Sequence, residues 1–589
     1  MSGMTREQRL APWYRGARIG LFLHWGMATG DHEDDPFGPA AKYPYETAEA
    51  FERAAEAAGW SAERWVAAAK KLRARYITIA SFHCGLGYLK IWPSGVPGSP
   101  HTRRDFLGEL LKAAEAEGIR VIVYINREPG RWRDNGVVWL NRQAYSDHTG
   151  DPSIDITTHQ GFLAYSLEVI EELLRTYPQV AGFWFDGYHE KEEAQAVFAR
   201  IHALSPHAIL INNDFSSGPV EDEDVMSLED FGKRCSPSYD WASGTWVGPG
   251  DKEFAFKTKW DWYYVGEGRP DWKGYAQNYA DVPDNATVVR RIVTIAGSSW
   301  NAHLGYGPRI GGDFPALLDD FTDHFDRFMA WAEESVYGTV GGGYDQGGFP
   351  PGHWNDGAYG VTTVVPGEET HFLHVLTAPG SDRLTVPDAG YEVLEATELK
   401  NGRSLDFAQS EGLLTIVVPS WDSVSADGDF VIKLRTGRTM RRVPSSGIAA
   451  SANSAAHPDH PAAHVLDGRY DTRFEAGEDA RWPISVTLQL EGEWEVAGLN
   501  VLQPETGAVT TGGYAAPVSE RVRDYAVHVS QDGIEWGEPV RQGTLRNQRG
   551  LQVILFPPTK ALFVRFTMQG NYAGTAACRL IRLDMLTAR

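Results

Sequence analysis

From residue 16 onward, short apolar runs alternate with longer segments whose apolar positions recur three and four residues apart. Ile19–His24 is the first strand-like run, and Ser61 precedes a helix through Arg75 in which Trp65, Val66, Ala69 and Leu72 share one face. Tyr76–His83 predicts the next strand. A helix over Asp105–Glu117, ended by Gly118, leads to a strand at Arg120–Ile125, and Gly161–Thr176 and Val180–Asp186 repeat the unit. Strand followed by helix, repeated, predicts a parallel sheet. Further runs at Ala208–Asn212, Val225–Glu229, Phe256–Trp262 and Val293–Ala296 bring the strands to about eight, the number of a (β/α)8-like barrel. No glycine-rich dinucleotide fingerprint follows the first strand, which weighs against an open doubly wound sheet.

A helix over Leu317–Tyr337 closes this region, and GTVGGGYDQGGFPPG reads as a linker. Beyond it the texture changes to β-prone runs such as YGVTTVV, HFLHVL and LLTIVV, separated by Pro, Gly and Asp. Past residue 445 the strand-like runs are ISVTLQL, YAVHVS, LQVILF and LFVRFTM. The expected fold class is therefore multidomain α/β plus all-β. A (β/α)8-like barrel occupies residues 1–338, a small β-sandwich 339–440 and a second β-sandwich 441–589.

At 589 residues the chain fits several domains of roughly 100–200 residues each. The composition, 42% hydrophobic with no low-complexity run, is that of an ordered protein, and no apolar stretch approaches the roughly 20 residues of a membrane span. The N-terminus has no apolar core of a secretory signal, so a cytoplasmic location is expected. Cys84, Cys235 and Cys578 are too few and too scattered for a disulfide framework or zinc knuckle. A net charge of −23 disfavours nucleic acid as a partner. Twenty tryptophans suit a carbohydrate partner, because indole faces stack on sugar C–H faces.

Polar residues gather at the ends of the predicted barrel strands: His24, His83 with Cys84, Tyr124 with Asn126, Asp186, Asn212 to Asp214, Glu229 with Asp230, and Asp261. That end is where such barrels carry their chemistry. Asp186 stands out in FWFDG, with apolar bulk before it and a glycine after it that permits close approach of a substrate. A lone carboxylate there is a candidate nucleophile. A second one at roughly 5–5.5 Å would make a retaining glycosidase, and one at roughly 6.5–9.5 Å an inverting one.

Residues 13–340 resemble glycoside hydrolase family 29, the α-L-fucosidases. The resemblance rests on ARIGLFLHWG, on WSAERWVAAAKKLRARYITIASFHCGLGYLKIWPS, on FWFDG, on RRIVTIAGSSWNAHLGYGP with the following Gly311, Gly312 and Asp313, and on FMAWAEESVYGT. It implies an exo-acting retaining hydrolase of oligosaccharides or glycosides that uses no catalytic cofactor. Asp186 would be its nucleophile, and His24, His83, Trp92, Tyr124 and Trp184 would line the sugar pocket. For the acid/base it leaves Asp261 and Glu229 on equal footing, with Glu267 behind them. The chain departs from the pattern in three places, one of them Asp261, which follows Trp260 where a glutamate is expected. Ser81, Phe82, His83, Cys84 and Gly85 replace Lys-His-His-Asp-Gly, so an aromatic ring stands for one sugar-contacting histidine, and Phe215 stands where an arginine is expected after the fifth strand. A related glycosidase for another sugar, and a catalytically silent glycan-binding protein, are the alternatives.

The stretch SANSAAHPDHPAAHVLDGRYDTRFEA, with YAVHVSQDGIEW, LFVRFTM and RLIRLDML, is similar to discoidin or coagulation-factor type C domains, including carbohydrate-binding module family 32. That likeness implies a glycan-binding role or a stiffening spacer. It also implies a structural Ca2+ held near Asp467, Asp471 and Thr472, with Asp584 as a further acidic residue.

Overall fold

The computed structural model describes residues 4, 6–10, 12–29, 44–129, 137–187, 190–213, 223–228, 239–240, 245–246, 253–256, 284–297, 301–314, 316–341, 360–365, 369–387, 392–410, 413–437, 441–467, 472–503, 520–545, 547 and 552–587. Its chain divides into two compact units. The first comprises residues 1–231, 253–288 and 300–330, and the second residues 232–252, 289–299 and 331–589.

The first unit is a closed barrel of parallel strands: β1 (Ile19–His24), β2 (Tyr76–Ala80), β3 (Arg120–Asn126), β4 (Gly182–Asp186), β5 (Ile209–Asn212), β6 (Val225–Leu228), β7 (Glu253–Phe256) and β8 (Asn301–Tyr306), in that order around the ring. Its helices include α1 (Ala62–Lys71), α2 (Phe106–Ala116), α3 (His159–Thr176), α4 (Lys191–Leu204) and most of α6 (Ala316–Val336), while α5 (Asn285–Gly297) falls mostly in the second unit. The Asp105 carboxylate caps α2 by accepting from the Gly108 N–H at 2.8 Å. Ser61 occupies the cap position of α1, but its hydroxyl donates to Glu63 (2.5 Å) and makes no cap bond.

Alternation along each strand turns Phe22, Tyr76, Ile122, Tyr124, Trp184, Ile209, Ile211 and Val225 into one buried interior cluster. Close packing there is sequence-specific: a β-carbon on Gly20 would fall inside the Tyr76 ring.

Two strands differ from expectation. Val293–Ala296 lies inside helix α5, where Val288, Val289, Ile292, Val293 and Ala296 are buried at helical spacing. A short apolar run fits a buried helix as well as a strand. The eighth strand is instead NAHLGY, whose fully buried residues include Asn301 and His303 and so form no apolar run. The seventh ends at Phe256, where the expected strand begins; residues 257–262 lie outside the described residues.

In the second unit, a six-stranded sheet is built around β9 (Gly360–Val364), β10 (Thr370–Val375), β14 (Phe430–Thr436) and β12 (Val393–Glu398). It shares a core with a three-stranded sheet of β11 (Arg383–Pro387), β13 (Leu413–Val417) and Phe407–Ser410, through Leu373, Ile432, Leu384 and Leu414. The C-terminal sheet runs through β18 (Arg582–Thr587), β15 (Ile484–Leu502), β17 (Gln552–Met568) and β16 (Asp524–Ser530). LQVILF and LFVRFTM, expected as two strands, are the halves of β17. Leu586 joins the core of the small sandwich, and Val553 and Leu555 pack against it, so the two β-layers share apolar contacts. Cys84 and Cys578 are buried free thiols. Among the described residues no helix is long and apolar enough to cross a membrane.

Candidate active site

The same alternation that fills the barrel with rings brings polar groups to its C-terminal end. Along β3 and β4 the register sets Tyr124 beside Trp184 and Asn126 beside Asp186. Phe22 lies 5.0 Å from Trp184, which stacks on Tyr124 at 5.3 Å and 19°. His24 follows Phe22 at 4.6 Å, and His83 reaches both His24 (5.7 Å) and Tyr124 (5.1 Å). Pairs of this kind contribute about 0.5–1.5 kcal/mol each beyond burial, so the ladder is a stiff base for the groups above it.

Asp186 ends β4 and is partly exposed. Its Oδ2 accepts from the Tyr124 hydroxyl at 2.6 Å and its Oδ1 from the Asn213 amide at 3.0 Å. Both carboxylate oxygens therefore face neutral donors in fixed positions. The helix that follows, α4, has Glu190 as its cap residue, so Asp186 is not spent on capping.

The backbone around Asp186 is gripped by Arg127, which is buried. The Arg127 N–H donates to the Asp186 carbonyl (2.9 Å), and its Nη2 donates to the Gly187 carbonyl (2.8 Å) and to Asn212 Oδ1 (3.0 Å). Asn212 in turn donates to Glu223 Oε2 at 2.7 Å. The guanidinium also lies 5.6 Å from the Phe185 ring centroid. One cation thus ties the ends of β3, β4 and β5 together. Although Phe215 replaces the expected arginine and lies outside the described residues, β5 does receive a guanidinium, delivered from β3.

Strand β2 stops at Ala80, and His83 caps a short 3-10 turn over Cys84–Leu86. Its Nδ1 accepts from the Gly85 N–H at 2.8 Å, so the neutral ring carries its proton on Nε2 and donates from there. Phe82 packs with Tyr88 and with Phe162 and Tyr165 of α3.

His24, His83 and Trp184 each lie against the Tyr124 ring, whose hydroxyl bonds Asp186. Trp92 lies elsewhere: its indole N–H donates to Glu172 of α3 at 3.1 Å, and Glu172 also takes the Ser94 hydroxyl (2.6 Å) and the Gly95 N–H (2.6 Å). The WPS segment is thereby pinned to the helix. Asp261, Glu229 and Glu267 lie outside the described residues. Asn213 and Arg127 contribute more than their sequence signal suggested. The clue to Arg127 was a charge directly after a run of buried strand residues, YINRE.

In the C-terminal domain the Thr472 hydroxyl donates to Asp467 Oδ2 at 2.8 Å, while Asp471 lies outside the described residues. Asp584 is occupied by Arg582, whose Nε donates to its Oδ2 at 2.8 Å. Among the described residues no group of three or more His, Cys, Asp or Glu is placed to hold a metal ion.

A sequence profile described as alpha-L-fucosidase matches residues 3–334, over half of the chain. The chain belongs to the α-L-fucosidase family. As a member it is a glycoside hydrolase with a carbohydrate substrate. A second profile, the F5/8 type C domain, matches residues 448–581 and assigns the C-terminal sandwich. A putative alpha-L-fucosidase of Caenorhabditis elegans is 22% identical over 370 residues, 56% of this chain and 67% of that protein. A sialidase of Micromonospora viridifaciens is 22% identical over 201 residues, and the chain spans only 28% of its length. Among solved structures, a family 29 α-L-fucosidase of Bacteroides thetaiotaomicron is 21% identical, with 74% of this chain and 96% of that one covered at a TM-score of 0.54. Isoenzyme 1 of Paenibacillus thiaminolyticus gives 19% identity, 74% and 100% coverage and 0.53. At such identities these two establish the shared fold.

Proposed function

We propose that the barrel is an exo-acting retaining glycosidase of α-L-fucosides in which Asp186 is the nucleophile. The observation that carries this reading is the Asp186 carboxylate at the barrel mouth, held through both oxygens by Tyr124 and Asn213 above a base of stacked rings. Oriented in this way, it attacks the anomeric carbon while a second carboxylate, Asp261 or Glu229, protonates the departing oxygen and then deprotonates the water that releases the sugar. In this reading His83 is a sugar-binding residue, its ring oriented by the bond from the Gly85 N–H to Nδ1. No cofactor enters these steps.

The packing of Phe82 against α3 favours a second sugar specificity, because a polar contact that the family resemblance implies at that position is missing here. A screen of 4-nitrophenyl glycosides, with the first-formed anomer read by NMR, tests both points. Cleavage of the α-L-fucoside with retention supports the reading, and inversion removes Asp186 as nucleophile. For the C-terminal domain we propose a glycan-binding role with calcium near Asp467. Melting with and without a chelator tests the ion, and an unchanged midpoint refutes it.

A further inference from the structure

A second carboxylate, unassigned by any motif, lies against the residue that follows Asp186. Glu128 comes two residues after the end of β3. Because the Arg127 N–H is bonded to the Asp186 carbonyl, the chain at Glu128 runs alongside the end of β4. Its carbonyl accepts from the Tyr88 hydroxyl at 3.0 Å, and Tyr88 is a buried residue held at φ +49°. Its side chain then folds over Gly187. Measured from the point where a β-carbon of residue 187 would stand, Cγ is at 3.0 Å, Oε1 at 3.3 Å and Cδ at 3.4 Å. Gly187 has φ +100°, so the glycine of FWFDG serves two ends: it permits that backbone turn, and it leaves the space into which the Glu128 carboxylate packs.

We infer that Glu128 is a sugar-binding residue, whose carboxylate accepts hydroxyl hydrogens of the monosaccharide that Asp186 attacks. Two observations, joined to two general principles, support recognition over proton transfer. The side chain is partly exposed at the strand ends where the rings and Asp186 meet. It stems from β3, the strand that also supplies Tyr124 to Asp186, and so lies on the nucleophile's side. A retaining mechanism places its acid/base across the anomeric carbon from the nucleophile. A carboxylate is also the natural acceptor for hydroxyl pairs, since each oxygen takes a hydrogen bond of the stronger, charge-assisted kind. Gly187 would therefore be fixed by the substrate pocket as well as by the backbone.

The inference rests on the glycosidase reading, and its test separates the two. The wild type is first assayed on the glycoside screen, and a monodeoxy series is built on whichever glycoside it cleaves, so another sugar changes the series and leaves the test standing. Absence of turnover on every glycoside overturns both the glycosidase reading and this inference. With turnover in hand, E128A is expected to lower kcat/KM on the parent glycoside about ten- to hundredfold, the loss of a hydrogen bond to a charged group. One deoxy analogue should show a similar loss in the wild type and no further loss in E128A. E128Q, isosteric and still an acceptor, should fall between the two, with a melting midpoint close to wild type.

Three results would overturn the inference while leaving Asp186 untouched. One is kcat/KM within about twofold of wild type in E128A. Another is an equal drop for every deoxy analogue in variant and wild type, which would mark a structural role. The third is rescue of E128A by azide to give the glycosyl azide of the same anomeric configuration as the substrate, which would make Glu128 the acid/base.

Discussion

The barrel mouth and the C-terminal F5/8 type C domain both carry partly buried carboxylates, but they satisfy them differently. Asp186 accepts from a phenol and an amide, one on each oxygen. In the C-terminal domain Arg579 pairs with Glu475 at 2.8 Å and with Glu520, Arg473 also reaches Glu475 at 2.8 Å, and Arg582 occupies Asp584. Burial opposes ionisation of Glu475, but the hydrogen bonds from Arg579 and Arg473 outweigh it and hold the carboxyl below its usual range. The arginine-paired carboxylates are committed to the fold, whereas the Asp186 carboxylate is oriented at the strand end by Tyr124 and Asn213. Glu172 is the instructive intermediate: its donors are also neutral, yet it is buried behind the WPS segment and serves packing.

The sharpest way to break this comparison is to remove Asp186. D186G should lose on the order of 10⁴-fold or more in kcat, as expected when a nucleophile is deleted, and regain turnover with azide; a silent glycan binder would show neither effect. Next in size, Y124F removes one of the two donors to the carboxylate and should lower kcat/KM about ten- to hundredfold. A change within twofold would mean that the hydroxyl only fills space.

Lys90 offers a contrast inside the barrel unit, a buried cation whose ammonium donates to the Val96 carbonyl. Burial lowers its pKa from 10.5 to about 7, against the pull of Glu172 and Glu168. Between about 7 and 10.5 the unfolded chain holds a proton that the folded chain has released, so raising the pH through that window strengthens the fold. Below about 7 both states hold the proton, and the full cost of burying the cation applies. The melting midpoint of the barrel should therefore climb from pH 7 toward pH 10, and K90M should flatten that rise. A midpoint in K90M that climbs as steeply as in wild type would assign the effect to other groups. Smallest of all, R579M should lower the midpoint of the C-terminal domain by a few degrees, the size expected for about 1–2 kcal/mol, and leave kcat unchanged. A matching fall in kcat would end the division between structural and functional carboxylates.

Where the chain carried a periodic apolar signal, the barrel was legible. Strands β1 to β6 and helices α1 to α3 lie where alternation and helical spacing put them, because each is apolar on the face it buries. NAHLGY was not legible, since it buries asparagine and histidine and shows no apolar run, while the neighbouring VVRRIVTIAG looks apolar enough for either element. At the site, strand-end position alone was enough to bring His24, Tyr124, Trp184 and Asp186 together. It could not place Trp92, whose N–H is claimed by Glu172 across 80 residues of chain. Nor could it reveal that Arg127 reaches over β4 to Asn212, a contact fixed by the closed barrel and by no local pattern.

In the retaining reaction proposed here, Asp186 bonds covalently to the sugar. Reaction with a 2-deoxy-2-fluoroglycosyl fluoride of the sugar the enzyme cleaves, followed by proteolysis and tandem mass spectrometry, tests it most directly. One fluoroglycosyl group per chain is expected, located on Asp186 in the FWFDG peptide and absent from D186G. A label on another carboxylate, or cleavage of the substrate with inversion and no label at all, would contradict it.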